Sequence, residues 1–174
     1  RQFGVNTEFI LRRGSRLGTF YLEAGASQRP SKVIYDRAGS AITELSPGVL
    51  DWDRVFEGKE WFHWSGTAPA LSDSMAAVTR EACEAARKHG LTVSCDLNYR
   101  RKLWSPEKAR TVMTGLMPYV NVLIGNEEDS ALVLGIPPES GSVDRGVLDA
   151  ESYKSVARQL HERFVAMQSC LGCV

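Results

Sequence analysis

Neither sign of charge predominates in this chain, whose 21 basic and 21 acidic residues leave no net charge over 174 residues. That balance excludes a protein that works mainly by coating nucleic acid or an anionic membrane. No apolar run approaches the roughly 18 residues that a bilayer-spanning helix needs, so no membrane partner is expected. Charged residues at 24% and hydrophobic residues at 43% are ordinary for a folded chain, which removes collagen-like, low-complexity and wholly disordered readings. Several catalytic signatures are also missing: no G-x-G-x-x-G follows a strand pattern, and no Walker A, G-x-S-x-G or H-E-x-x-H occurs. A dinucleotide oxidoreductase, a P-loop NTPase and a serine hydrolase therefore lose ground. At about 150 residues per domain the length allows one domain or slightly more, enough to bury a core. No apolar leader follows Arg1, so no secretory signal is expected, and the lack of Met there leaves a start further upstream open.

Cysteine is scarce too. Cys83 falls in an apolar helical pattern and Cys95 in an apolar strand pattern, where Cys serves as a small core residue. Cys170 and Cys173 have C-x-x-C spacing, but neither a second ligand pair nor a following helix accompanies them. A solvated tail in a reducing, cytoplasmic chain is the expectation.

What is present begins as β ribbon. Phe9–Arg12 reads as a short strand, Leu17–Glu23 alternates with Phe20 and Leu22 opposite Thr19, Tyr21 and Glu23, and Ser31–Arg37 sets Val33, Tyr35 and Arg37 on one face. From Glu60 the texture changes to strands separated by helices. Trp61–Ser65, Leu91–Asp96 and Asn121–Gly125 read as strands. Helices are expected after Ser72, Ser105, Asn126 and Asp149, each a favoured N-cap residue. Trp61, Phe62 and Trp64 are expected in the core, with His63 as a satisfied interior histidine and His89 at a helix end. Such alternation means a parallel sheet covered by helices, an open α/β layer structure in preference to a barrel.

In a parallel sheet, ligands bind beyond the carboxyl ends of the strands. That rule selects Ser65-Gly66-Thr67, Asp96-Leu97-Asn98-Tyr99-Arg100 and Gly125-Asn126-Glu127-Glu128-Asp129, all polar where the preceding strands are apolar. Arg100 offers a planar fork for carboxylate or phosphate. Asp96 and Asn98 suit turn chemistry equally well, and Arg100-Arg101-Lys102 could be a solvated basic loop. For the three acids after Asn126 the helix dipole is sufficient, and a water-mediated magnesium or phosphate site is the functional alternative. Tyr35 and Arg37, with Tyr21 able to join them from the neighbouring strand, suit a sugar acid: rings stack on carbon and the guanidinium meets the carboxylate. Cross-strand pairing on an exposed ribbon explains them as well.

Taken together, these segments resemble the ribokinase-like (PfkB) carbohydrate kinases, and within them the branch that phosphorylates 2-keto-3-deoxygluconate. The carrying stretches are Arg16-Leu17-Gly18-Thr19-Phe20-Tyr21-Leu22-Glu23, Arg29 to Ala41, Trp64 to Ser72, Asp96-Leu97-Asn98-Tyr99-Arg100 and Gly125 to Asp129, in the family's order over residues 4–136. The resemblance implies a three-layer α/β kinase with a β-ribbon lid, incomplete at both ends. Residues 1–47 would form the lid ribbon and its connection, and residues 48–174 a partial kinase core. It implies ATP and Mg²⁺ as cofactors, with a sugar acid as substrate. Tyr21, Tyr35, Arg37, Thr67 and Arg100 would bind the sugar acid. Arg100 would also stabilise the transition state between sugar and nucleotide, with Asn98 and Asn126 at the nucleotide. Asp129 would reach the metal through water, although the family carries the longer Glu there.

The family's glycine-containing sugar segment and its G-A-G-D motif, which carries the catalytic Asp base, do not occur in these 174 residues. Phosphoryl transfer rests on positioning and electrostatics, so the chain by itself is expected to show no turnover. The end, Phe164 to Val174, also stops resembling the family where another strand belongs. The alternative from another class is a non-catalytic module that holds a sugar acid or self-associates through its ribbon.

Overall fold

Alternating side chains and an unbroken apolar pattern build two different sheets in this protein, seen in a computed structural model that describes residues 2–138, 150–164 and 168–171. The alternating segments form an antiparallel ribbon of β1 (Thr19–Glu23) and β2 (Lys32–Asp36). Its register sets Phe20 opposite Tyr35, Tyr21 opposite Ile34 and Leu22 opposite Val33. The strand expected at 9–12 does not form: that stretch pairs with no strand, and Ile10 and Leu11 are exposed. In place of a ladder, Ile10 N–H closes a turn onto Thr7 O at 3.2 Å.

The apolar segments form a parallel sheet in the order β3 (Trp61–Ser65), β4 (Thr92–Asp96), β5 (Val122–Gly125), β6 (Gln168–Leu171). The strand β6 corrects the expected solvated tail, because Cys170 lies opposite Ile124 in the ladder. It also supplies the strand at which the family likeness was expected to fail. A bare β5 edge would expose a row of unpaired N–H and C=O groups, which β6 satisfies. Cys173 lies outside the described residues.

Helices pack on one face of this sheet. The helix α3 (Asp73–Lys88) starts where the Ser72 hydroxyl accepts the Met75 N–H at 3.1 Å, and it stops at Gly90, whose φ is +73°. It buries Met75, Val78, Ala82, Cys83 and Ala86. The helix α4 (Pro106–Leu116) starts in the same way at Ser105 and buries Ala109, Met113 and Leu116. Val156 and Leu160 join the core from α6 (Ala150–Arg163), while the start expected at Asp149 lies outside the described residues. The opposing sheet residues Trp64, Val93, Cys95, Leu97 and Leu123 are all buried. Burial pushes the Cys83 thiol up to about 12 and the Cys95 thiol well above its usual value, so neither is a reactive thiolate.

The other sheet face stays partly open, which corrects two expectations. Trp61, expected in the core, is 56% exposed, and His63, expected in the interior, is exposed beside it. Both stand on β3, the edge strand of this sheet. They converge on one buried hydroxyl: the Trp61 indole N–H donates to Ser94 Oγ at 2.7 Å, and His63 Nδ1 lies 2.8 Å from the same oxygen.

Two short helices complete the part that positions the strand ends. One, α1 (Trp52–Phe56), is absent from the sequence expectations; the Asp51 carboxylate caps it, and Trp52 and Phe56 stack at 5.4 Å. The other, α2 (Thr67–Ala70), follows β3 directly. Asp53 on α1 accepts from Lys88 Nζ at 3.2 Å and lies 2.6 Å from His89 Nε2, clasping α1 to the end of α3. The His89 hydrogen bond, followed by the Lys88 hydrogen bond and charge, holds the Asp53 carboxyl below its usual value. A carboxyl depressed by folding contributes stability above its unfolded value and loses it as pH falls through the folded one. Thermal melts should show the wild-type chain above Asp53→Asn at neutral pH, with the gap closing below the usual aspartate value of 3.8. A gap that persists at low pH would contradict the clasp. No helix among the described residues is long and apolar enough to cross a membrane.

Candidate functional site

The three strand ends named from sequence meet at one edge. Ser65 lies opposite Asp96, and Asp96 opposite Ile124. Hydrogen bonding continues past the strands: Gly66 N–H donates to Asp96 O at 2.7 Å, and Leu97 N–H to Ile124 O at 2.9 Å. The approach at Gly66 is so close that a Cβ there would stand 2.0 Å from Leu97 O.

Two cavities open on this edge and share Asn98, Tyr99, Arg100 and Arg101. The larger, about 900 Å³, lies between the ribbon and the sheet edge, and Tyr35, Arg37 and Thr67 line it. Five of its lining residues are cationic (Lys32, Arg37, Arg100, Arg101 and Lys102), and no Asp or Glu lines it. Arg37 lies over the Tyr35 ring, its guanidinium carbon 4.3 Å from the centroid, a cation–π contact that holds it on the ribbon. The smaller cavity, about 610 Å³, has the opposite character, with Asp96, Asn126, Glu128 and Asp129 in its lining. Arg100 therefore stands where a basic cavity meets one rich in carboxylates. A third, mostly apolar hollow of about 460 Å³ shares Arg37 and Thr67 and is lined also by Leu17, Phe20 and Ile42.

Tyr35, Arg37, Thr67, Asn98 and Arg100 are thus brought together, and Asn98, Arg100, Asn126 and Asp129 share the second cavity. Tyr21 is not among them, which corrects the shared face expected with Tyr35 and Arg37. Residues directly opposite in an antiparallel ladder project to the same side, so Tyr21 goes with Ile34 and away from Tyr35. Phe20 takes the neighbouring place, its ring centroid 6.2 Å from that of Tyr35.

Local geometry fixes the polar groups. Asn98 adopts φ +39°, and its Nδ2 donates to Ser65 Oγ at 2.9 Å. Tyr99 N–H donates to Asp129 Oδ2 at 3.3 Å, and Tyr99 OH to Trp104 O at 3.1 Å. Asn126 Oδ1 caps α5 (Glu127–Asp129) by accepting the Asp129 N–H at 2.7 Å, so its amide group remains for other partners. The chain then passes through a wide helical turn, Ser130–Leu134, to Gly135 at φ +69°. Burial raises the Asp129 carboxyl above its usual value, and the Glu128 and Asp96 charges add to the rise against the Tyr99 N–H and Arg100. Such a group gains from a nearby cation. Among the described residues no three His, Cys, Asp or Glu side chains are grouped to hold a bare ion. The donor set instead suits Mg²⁺ carried on phosphate oxygens and waters, which needs only one or two carboxylates. From sequence Ser65 is selected only within the strand end Ser65-Gly66-Thr67, with no role of its own. Its position opposite Asp96 at the strand end is the signal that could have found it.

Proteins similar to this chain include sugar and sugar-acid kinases. A 2-dehydro-3-deoxygalactonokinase of Haloferax volcanii is 41% identical over 141 residues, which cover 79% of this chain and 44% of the relative. The crystal structure of a 2-dehydro-3-deoxygluconokinase from Thermotoga maritima superposes with a TM-score of 0.86 at 45% identity, covering 94% of this chain and 48% of that one. A fructokinase from Xylella fastidiosa, solved with bound ATP, shares the fold alone, with a TM-score of 0.74 at 17% identity over 99% of this chain and 49% of that one. The chain thus spans about half the length of the relatives it matches. Its parallel α/β sheet and ribbon are a part of the ribokinase-like fold. With residues 1–167 matched by the family described as pfkB family carbohydrate kinase, this chain belongs to the PfkB carbohydrate kinases.

Proposed function

We propose that the protein to which these residues belong phosphorylates a hydroxyl of a 2-keto-3-deoxy sugar acid, 2-keto-3-deoxygluconate above all, with ATP as donor. The observation that carries this reading is the larger cavity, with five cations and no acid in its lining. A neutral sugar has no use for such a lining, whereas a carboxylate gains charge-assisted hydrogen bonds from it. The names of the Haloferax and Thermotoga relatives point to the same substrate class.

In this reading residues 1–47 act as lid and residues 48–174 as part of the core. Arg37, held over the Tyr35 ring, takes the substrate carboxylate from the lid, and Thr67 lines the sugar pocket from the strand end. Arg100 faces both cavities and stabilises charge developing on the transferred phosphoryl group, with its guanidinium already in place. The Asn126 amide meets the nucleotide phosphates. Glu128 and Asp129 stand where waters of a phosphate-bound Mg²⁺ would be held, and the ion would neutralise phosphate charge.

Calorimetric titration of the chain with 2-keto-3-deoxygluconate, and separately with ATP and Mg²⁺, tests the proposal. Saturable binding of the sugar acid is expected. Binding of neither ligand would overturn it. The Tyr21 face of the ribbon favours a second reading, because Tyr21 is 62% exposed and lines neither cavity. Self-association through that face would appear as a dimer in sedimentation that Tyr21→Lys dissociates.

A further inference from the structure

Among the described residues only Ser27 and Asn98 hold a positive φ without being glycine. Ser27 lies in the ribbon's connecting loop, but Asn98 lies between β4 and Arg100, at the junction of the two cavities. A left-handed residue redirects the chain, and Asn is the side chain that tolerates it at low cost. Asn98 also has its amide engaged, since Nδ2 donates to Ser65 Oγ at the end of β3. The next residue, Tyr99, is tied by its N–H to Asp129 across the cavity mouth, and Leu103 N–H closes a turn onto Arg100 O at 2.9 Å. Asn98, Tyr99 and Leu103 thus tie the chain on both sides of Arg100.

We infer that Asn98 is a positioning residue: its left-handed backbone, anchored by Ser65, aims Arg100 at the junction of the two cavities. The inference rests on the proposed sugar-acid site. It assigns Asn98 a different task from contacting the nucleotide, and it gives Ser65 a task of its own. The left-handed φ selects the loop conformer that binding requires, and the bond to Ser65 adds to it. Losing that conformer lowers the competent fraction and raises the apparent Kd by the same factor.

The test compares Asn98→Gly with Asn98→Ala in the whole chain. Glycine enters the left-handed region freely, whereas alanine is penalised there. Calorimetric Kd for 2-keto-3-deoxygluconate should stay within about threefold for Asn98→Gly and rise roughly five- to thirtyfold for Asn98→Ala. A purely structural role would move the melting midpoint in that same order but leave the Kd and Arg100 reactivity of the folded chain unchanged, so midpoints are read beside them. Equal losses in both variants would make Asn98 a direct ligand and overturn the inference, as would no loss in either. Phenylglyoxal modification of Arg100, followed by peptide mass spectrometry without ligand, reads its placement independently. Asn98→Gly should match the parent rate and Asn98→Ala should differ at least about threefold. A parent chain that binds no sugar acid would end the proposed function, while these rates would still decide the positioning. If Asn98→Ala does not fold, Asn98→Ser replaces it, with the same order against Asn98→Gly expected. An Arg100 rate equal to that of Asn98→Gly then overturns the inference.

Discussion

Replacing Gly66 with alanine is expected to lower the thermal midpoint of the chain by roughly 2–12 °C. The added Cβ would lie 2.0 Å from Leu97 O, a backbone atom, with Met113 Cε at 3.3 Å on another side. Gly66 cannot retreat easily, because its N–H holds Asp96 O at 2.7 Å. Overpacking of this kind is worth about 1–3 kcal/mol. For a chain of this length each kcal/mol moves the midpoint by about 2–4 °C. Gly115→Ala is the control. Its Cβ also meets an atom closely, at 2.9 Å, but that atom is the far end of the flexible Arg80 side chain. Gly115 sits within α4, where alanine is the better helix former by about 1 kcal/mol, so a neutral or raised midpoint is expected. Circular dichroism melts that show Gly66→Ala and Gly115→Ala behaving alike would refute the close approach of β3 and β4.

The contrast between those glycines also indicates what a sequence can disclose. The helix starts at Ser72 and Ser105 and the stop at Gly90 are local, because cap side chains and turn φ values involve neighbours a few residues away. The clustering of Thr67, Asn98, Arg100 and Asn126 was legible for a different reason, since a parallel sheet collects the carboxyl ends of all its strands at one edge. Tyr21 was not legible. Its side relative to Thr19 and Glu23 follows from alternation, but which face of β2 it joins depends on register. A one-residue slip reverses every side chain, and the eight-residue connection 24–31 sets register less tightly than a two-residue turn.

Trp61 and His63 failed for another reason: an aromatic strand reads as core when both sheet faces are covered, and here one face remains partly open. The strand β6 carries Gln168, Ser169 and Cys170 and so lacks an apolar run. Its pairing answers a need of β5, which its own residues do not announce. The helix α1 could have been found, since Asp51 is a favoured cap and Trp52 and Phe56 stand four residues apart.

Removing one guanidinium from the basic cavity should weaken sugar-acid binding more than any other single truncation there. Arg37 and Arg100 make no salt bridge with an acid among the described residues, so each is available to an incoming anion. Hydrogen bonds to charged groups are worth about 1.5–3 kcal/mol, which makes Arg37→Ala or Arg100→Ala a roughly 10- to 150-fold rise in Kd for 2-keto-3-deoxygluconate. Arg37→Lys should recover little of the loss at the lid, because a lysine ammonium neither forks onto a carboxylate nor lies flat on the Tyr35 ring. Tyr35→Phe keeps that ring and should bind nearly as well as the parent, whereas Tyr35→Ala should not. A neutral keto sugar such as fructose supplies the decisive comparison: it should bind the parent weakly and lose nothing on Arg37→Ala. Calorimetry with both ligands measures all of these differences. Equal loss of acid and neutral sugar would mean that Arg37 shapes the pocket, and the carboxylate contact would have to be sought at Arg100, Arg101 or Lys102 instead.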